Sequence, residues 1–187
     1  MQRREAIQYI SLLLGGTIVG ANSFLTGCTT TDKKTAAAFS TDDVAYLNEI
    51  ADTILPTTQT PGAKAANVGQ FMTVMVNDCY DEKDQKVFHE GMTKLNDEMK
   101  KKHKVDFMEA TPEQRTAFLT DLDKEQKDFM KNKKDKDPTH YFRMMKELTL
   151  LGYFTSEIGS KQARRYVAVP GRYDGCIPYK KGDKAFA

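Results

Sequence analysis

Apolar residues recur three and four positions apart through most of the chain, the spacing that lines one face of an α-helix. Ser40-Thr41-Asp42-Asp43 offers an N-cap and acidic first-turn residues, and Val44, Leu47, Ile50, Ala51, Ile54 and Leu55 follow at helical spacing. A first helix is therefore expected to about Leu55, stopped by Pro56. Pro56 to Asn67 reads as a loop. Val68, Phe71, Met72, Met75, Val76 and Tyr80 mark a second helix, and Val87, Phe88, Met92, Leu95 and Met99 a third, from about Glu82 to Lys102. Thr111-Pro112-Glu113-Gln114 joins an N-cap, a proline at the first helical position and a capping-box glutamine. The fourth helix that starts there uses Phe118, Leu119, Leu122 and Phe129 and dissolves in the Lys/Asp run before Pro138. A fifth is expected from around Pro138 to near Gly159, carrying Tyr141, Phe142, Met145, Leu148, Leu151, Phe154 and Ile158.

No stretch alternates with period two between hairpin turns, although Tyr166 to Val169 is a candidate for brief pairing. The expected fold is all-α: a single domain of about five helices with an irregular C-terminal arm. That arm, Ser160 to Ala187, holds two prolines and three glycines among its tyrosines. It is too polar to form a core and too aromatic for a free linker, so it is expected to lie against something.

The first residues read as an address. Arg3 and Arg4 precede a Gly-interrupted apolar run from Tyr9 to Phe24, shorter than the roughly 20 consecutive apolar residues a membrane span needs. The arginine pair with modest hydrophobicity points to the twin-arginine export route, which moves folded cargo. Leu25-Thr26-Gly27-Cys28 resembles the lipobox of bacterial lipoproteins, which would make Cys28 the lipidated first residue of the mature protein. Residues 1–28 are thus expected to be a signal, residues 29–39 a flexible tether and residues 40–187 the helical domain, periplasmic and held to a membrane by lipid on Cys28.

Charge and chemistry narrow the function by exclusion. The 187 residues carry a formal +2, and the Lys-rich stretches Lys100 to Lys104 and Lys124 to Lys136 show no aromatic stacking pattern. They read as solvated helix faces or connectors, so no nucleic-acid partner is expected. His89, His103 and His140 stand alone at helical or near-cap positions and read as surface or boundary residues. Dinucleotide, P-loop and covalent-haem motifs are absent. Carboxylate pairs such as Asp42/Asp43 and Asp121/Asp123 read as helix-start charge and an exposed face. No catalytic, cofactor-binding or metal-binding residue is assigned. In an oxidising compartment Cys79 and Cys176 have three fates: a bond to each other, a bond to a partner, or free thiols.

Three stretches, in order, resemble the gluconate 2-dehydrogenase subunit 3 family: Ala51-Asp52-Thr53-Ile54-Leu55-Pro56 with Thr60-Pro61-Gly62-Ala63 and Val68 to Phe71; Leu148 to Gly159; and Tyr166 through Pro170-Gly171-Arg172-Tyr173-Asp174-Gly175-Cys176 with Pro178. The middle, from about Tyr80 to Thr139, is divergent, and Phe186 stands where many relatives carry a Trp. The resemblance implies a non-catalytic small subunit that escorts and stabilises a larger flavoprotein of the glucose-methanol-choline type acting on a sugar, gluconate or glucoside. FAD is then expected in that large subunit and c-type haem in a third, cytochrome subunit. It also implies docking through the Thr53 to Ala63 loop and the arm, with Tyr153, Tyr166, Pro170, Gly171, Arg172, Tyr173 and Tyr179 as contacts. A Cys176 bond to the large subunit is favoured over a Cys79 to Cys176 bridge. The alternative is a free-standing periplasmic lipoprotein with a binding role.

Overall fold

A computed structural model of the chain describes residues 39–134 and 137–186. Arg3, Arg4, Cys28 and all but the last residue of the expected tether lie outside the described residues. Among those described, five α-helices run in order: α1 Thr41–Ile54, α2 Val68–Cys79, α3 Glu82–His103, α4 Pro112–Asn132 and α5 Tyr141–Thr155, followed by a π-helical turn, Gly159–Ala163. The all-helical expectation holds. Among the described residues the one β feature is an isolated parallel bridge between Arg165 and Phe186, just outside the Tyr166 to Val169 segment expected to pair.

Helix starts follow local chemistry. Ser40 and Asp43 form a reciprocal capping box, the Asp43 amide donating to Ser40 Oγ at 3.2 Å and the Ser40 amide to Asp43 Oδ2 at 2.8 Å. Thr111 and Gln114 repeat the device at α4, and Asp81 caps α3 by accepting from the Asp84 amide at 2.8 Å. The start of α2 is different. Asn67 sits in the left-handed region with no side-chain cap of its own, and Asn48 of α1 accepts from the Gly69 amide at 2.8 Å instead. A Cβ on Gly69 would lie 2.5 Å from the Val44 carbonyl oxygen, so the two helices approach as closely as only glycine allows.

α5 is the central element: α1, α2, α3 and α4 all pack against it. Tyr141, Phe142, Met144, Met145, Leu148, Thr149, Gly152 and Tyr153 are buried along it, more than one amphipathic stripe would hold. Each large apolar side chain so enclosed contributes on the order of 1.5–3 kcal/mol. α5 begins at Tyr141 rather than Pro138, because His140 serves as its cap. It ends at Thr155, where the Ser156 hydroxyl donates to the Tyr153 carbonyl at 2.6 Å and accepts from the Gly159 amide at 3.0 Å. Two residues assigned to core stripes are at the rim: Phe129 is 41% exposed and Leu151 47%. Phe129 falls near the end of α4, where its ring edge covers His140 at 5.4 Å between centroids.

Polar side chains tie the helices together. Arg115 of α4 is paired with Glu49 of α1 and donates to the carbonyls of Phe107 at 2.8 Å and Met108 at 2.6 Å. Asp123 of α4 accepts from Lys146 of α5 at 2.6 Å.

Candidate functional site

Beyond the π-helical turn the chain leaves the core: residues 165–186 are all exposed. The arm nevertheless has a defined base. The Arg165 amide donates to the Ala185 carbonyl at 2.8 Å, and the Arg165 guanidinium lies 3.8 Å from the centre of the Phe186 ring. Arg164 donates to the Phe186 carbonyl at 2.7 Å, and Lys184 reaches the Gln162 carbonyl. The segment between is a closed loop. Gly171 and Gly182 supply positive φ, 71° and 98°, and the second shapes a tight turn in which the Lys180 amide donates to Asp183 Oδ2 at 2.8 Å.

On this loop Tyr166, Pro170, Gly171, Arg172, Tyr173 and Tyr179 are all exposed, Tyr173 at 97% and Tyr179 at 76%. Val169 is 82% exposed. Arg172 pairs with Asp174 at 3.4 Å. Aromatic and aliphatic side chains this open are unusual on a free surface and are the residue types that anchor protein interfaces. Tyr153, assigned to the same docking group, is elsewhere. It is 4% exposed, its hydroxyl donates to the Pro61 carbonyl at 2.7 Å, and its ring is part of the core. A helix buried against several neighbours encloses positions that a single stripe would leave open. Phe154, read as a core filler, is half-buried and packs against that core.

The Tyr153 bond also anchors the second candidate surface, the Thr53 to Ala63 loop. The Gly62 amide donates to Thr57 Oγ1 at 3.0 Å, and the Ala63 amide to the Leu55 carbonyl at 2.9 Å. Only Pro56 to Gln59 at its tip are exposed, while Gly62 and Ala63 are buried. Cys79, at the end of α2, and Cys176, in the arm, are both exposed free thiols.

A cavity of about 500 Å³ opens where α1 faces α3, lined by Asp42, Asp43, Tyr46, Asp97, Asp106 and Glu109 among others. Two of its polar groups, Tyr46 and Asp106, are engaged by their neighbours. Burial, then the charges of Asp106 and Asp97, push the Tyr46 phenol far above its ordinary range; its hydroxyl donates to the Met92 carbonyl at 3.3 Å. Hydrogen bonds from Lys100 and Asn96 hold Asp106 below the usual carboxylate range. A proton carrier poised near neutrality is not what these environments make. Among the described residues, no group of three or more His, Cys, Asp or Glu side chains is arranged to hold a metal ion.

The histidine reading needs one correction. His140 is 7% exposed, not a surface or boundary residue. Its Nδ1 accepts from the Phe142 amide at 3.2 Å and its ring stacks on Tyr141 at 4.6 Å. Burial lowers its pKa against the opposing pull of Glu125. A near-cap position was legible in the sequence, but the ring's enclosure by α4 and Tyr141 depends on tertiary packing. Asn48, Asn96 and Arg115 drew no attention in the sequence either, because each acts on a group outside its own helix.

The family model for gluconate 2-dehydrogenase subunit 3 matches residues 41–171, from the first residue of α1 into the arm. The chain belongs to that family. It is accordingly an accessory subunit of a dehydrogenase, a protein that works beside other subunits. The matched span takes in the Lys-rich middle that the motifs left divergent. It stops short of Arg172 to Pro178, the later part of the segment likened to the family's tail. The comparison with curated proteins found no match, and neither did that with solved structures.

Proposed function

We infer that this chain is the non-catalytic small subunit of an exported sugar, gluconate or glucoside dehydrogenase, and that it escorts and stabilises a flavoprotein large subunit. The large subunit carries the FAD, and a c-type cytochrome takes the electrons. The observation that carries the reading is the arm: residues 165–186 are all exposed, yet rich in tyrosine and β-branched side chains and closed at the base. A segment of that composition, tied down at its base but outside the core of its own chain, suits a partner's surface. The tip of the Pro56 loop is the second contact, and Cys176 is the candidate for a bond to the partner.

Escort follows from the pairing of such a surface with an export signal. A flavin-loaded subunit has to cross the membrane folded, so a twin-arginine signal on a bound small subunit serves both chains, and lipid on Cys28 then holds the complex at the membrane. The test is to change Arg3 and Arg4 to Lys and follow the flavoprotein by cell fractionation. It should remain in the cytoplasm although none of its own residues has changed; unaltered export of the flavoprotein would remove the escort role. A non-reducing gel of the complex reads Cys176 separately, a band at the summed mass marking the intersubunit bond.

A further inference from the structure

The charges of the molecule are segregated. From Ser160 to Ala187 seven Lys and Arg stand against two Asp, whereas residues 29–159 carry 19 Lys and Arg against 23 Asp and Glu. The arm is therefore about five charges positive, on a body about four charges negative. The cavity lined by Asp42, Asp43, Asp97, Asp106 and Glu109 belongs to the negative part.

The arm's cations divide into two groups. Arg164, Arg165 and Lys184 are engaged at the base, on the Phe186 carbonyl, the Phe186 ring and the Gln162 carbonyl, and Lys161 pairs with Glu157 at 2.8 Å. Lys180 and Lys181 are different: among the described residues neither ammonium has an ion-pair partner, and both lie at the turn shaped by Gly182. Arg172 is held only by an exposed pair with Asp174 at 3.4 Å, a contact that contributes little. Along the chain these three cations flank Tyr173, Ile177 and Tyr179, which are exposed at 97%, 45% and 76%. Base cations build the loop, and tip cations are left for something outside it.

We propose that the arm, through Arg172, Lys180 and Lys181 together with Tyr173 and Tyr179, is a cationic plug that enters a carboxylate-rich groove on the dehydrogenase subunit this chain accompanies. The proposal rests on the accessory-subunit reading and adds the chemistry of the receiving surface. The arm's net positive charge, which outweighs Asp174 and Asp183, speeds encounter and fixes orientation, because steering acts before contact. The negative body is repelled by the same acidic surface, so the arm leads. The aromatic side chains then hold the complex by excluding water. Charge and apolar area thus act on different rate constants.

The test uses the dehydrogenase subunit that co-purifies with the full-length chain from its own cells, immobilised and probed with purified wild-type and variant chains. Wild-type association should slow at least tenfold between 50 and 500 mM NaCl. Lys180→Glu with Lys181→Glu should slow it at least tenfold at 50 mM with little change in dissociation, and Tyr173→Ala with Tyr179→Ala should mainly speed dissociation. Lys131→Glu with Lys134→Glu, on the body, should stay within about twofold. Association of the arm-reversed variant at the wild-type rate, or a wild-type rate indifferent to salt, overturns the plug while leaving the accessory role intact. Loss of binding to 3:1 phosphatidylcholine–phosphatidylglycerol vesicles with unchanged co-purification would assign the arm to lipid. A concentration-dependent dimer that disappears in the same variant, co-purification again unchanged, would assign it to a second copy; either result overturns the proposal. If no dehydrogenase subunit co-purifies with wild type at all, the accessory reading itself fails and the plug with it.

Discussion

His140 shows how one side chain sets a pH dependence. Its Nδ1 accepts from the Phe142 amide, which only neutral imidazole can do, so the proton of the neutral ring belongs on Nε2. Glu125 faces that nitrogen at 3.9 Å, and burial still prevails, lowering the pKa from 6.5. The unfolded chain therefore takes up this proton first, and stability falls as the pH drops below about 6.5. Asp123 sets a second, lower window. Burial pushes its carboxyl up, but hydrogen bonds from Lys127, Lys146 and Gln126 outweigh that and hold it at about 2. Its stabilisation is present in full above about pH 4 and disappears as the pH falls towards 2. Thermal melts from pH 7.5 to 2.5 should show two declines, the upper one missing in His140→Asn, which keeps a cap. His140→Ala should lose about 1 kcal/mol from the cap and more from the vacated space. Nitrogen-detected NMR at pH 7.5 should report the Nε2–H tautomer.

Between elements, α3 and α5 approach closely. A Cβ on Gly91 would lie 2.3 Å from the Cβ of Tyr141, so Gly91→Ala should cost about 1–3 kcal/mol in urea unfolding, despite the better helix propensity of alanine. Much of the element order was legible in the sequence. Proline, cap and apolar spacing located α1, α3 and α4 because those signals are local. The cap of α2 was not legible, since it comes from Asn48 on another helix, and neither was the role of α5, whose several buried faces blur a single stripe. The same central position took Tyr153 away from the docking group. The arm's exposed tyrosines could be named from composition, but the clamp of Arg164 and Arg165 on Phe186 joins residues some twenty positions apart and leaves no local pattern.

For the whole molecule, the division between a packed five-helix body and an arm that shares none of its core predicts separable behaviour. Replacing residues 167–183 by a short Gly-Ser linker should leave the melting temperature within about 2–3 °C of wild type, since an exposed segment withdraws little apolar surface from water. The same variant should fail to retain the dehydrogenase. A large loss of stability on that deletion would mean that the arm is structural rather than a docking device.

An accessory subunit is defined by what it does not do alone. The decisive measurement is the visible absorbance and sugar-dependent dye reduction of the chain purified by itself and again with the dehydrogenase subunit it accompanies. Alone it should show no flavin or haem band and no turnover with gluconate, glucose or polyols, while the reassembled complex should show both. Dye reduction by the isolated chain, with a cofactor band accompanying it, would contradict the assignment directly.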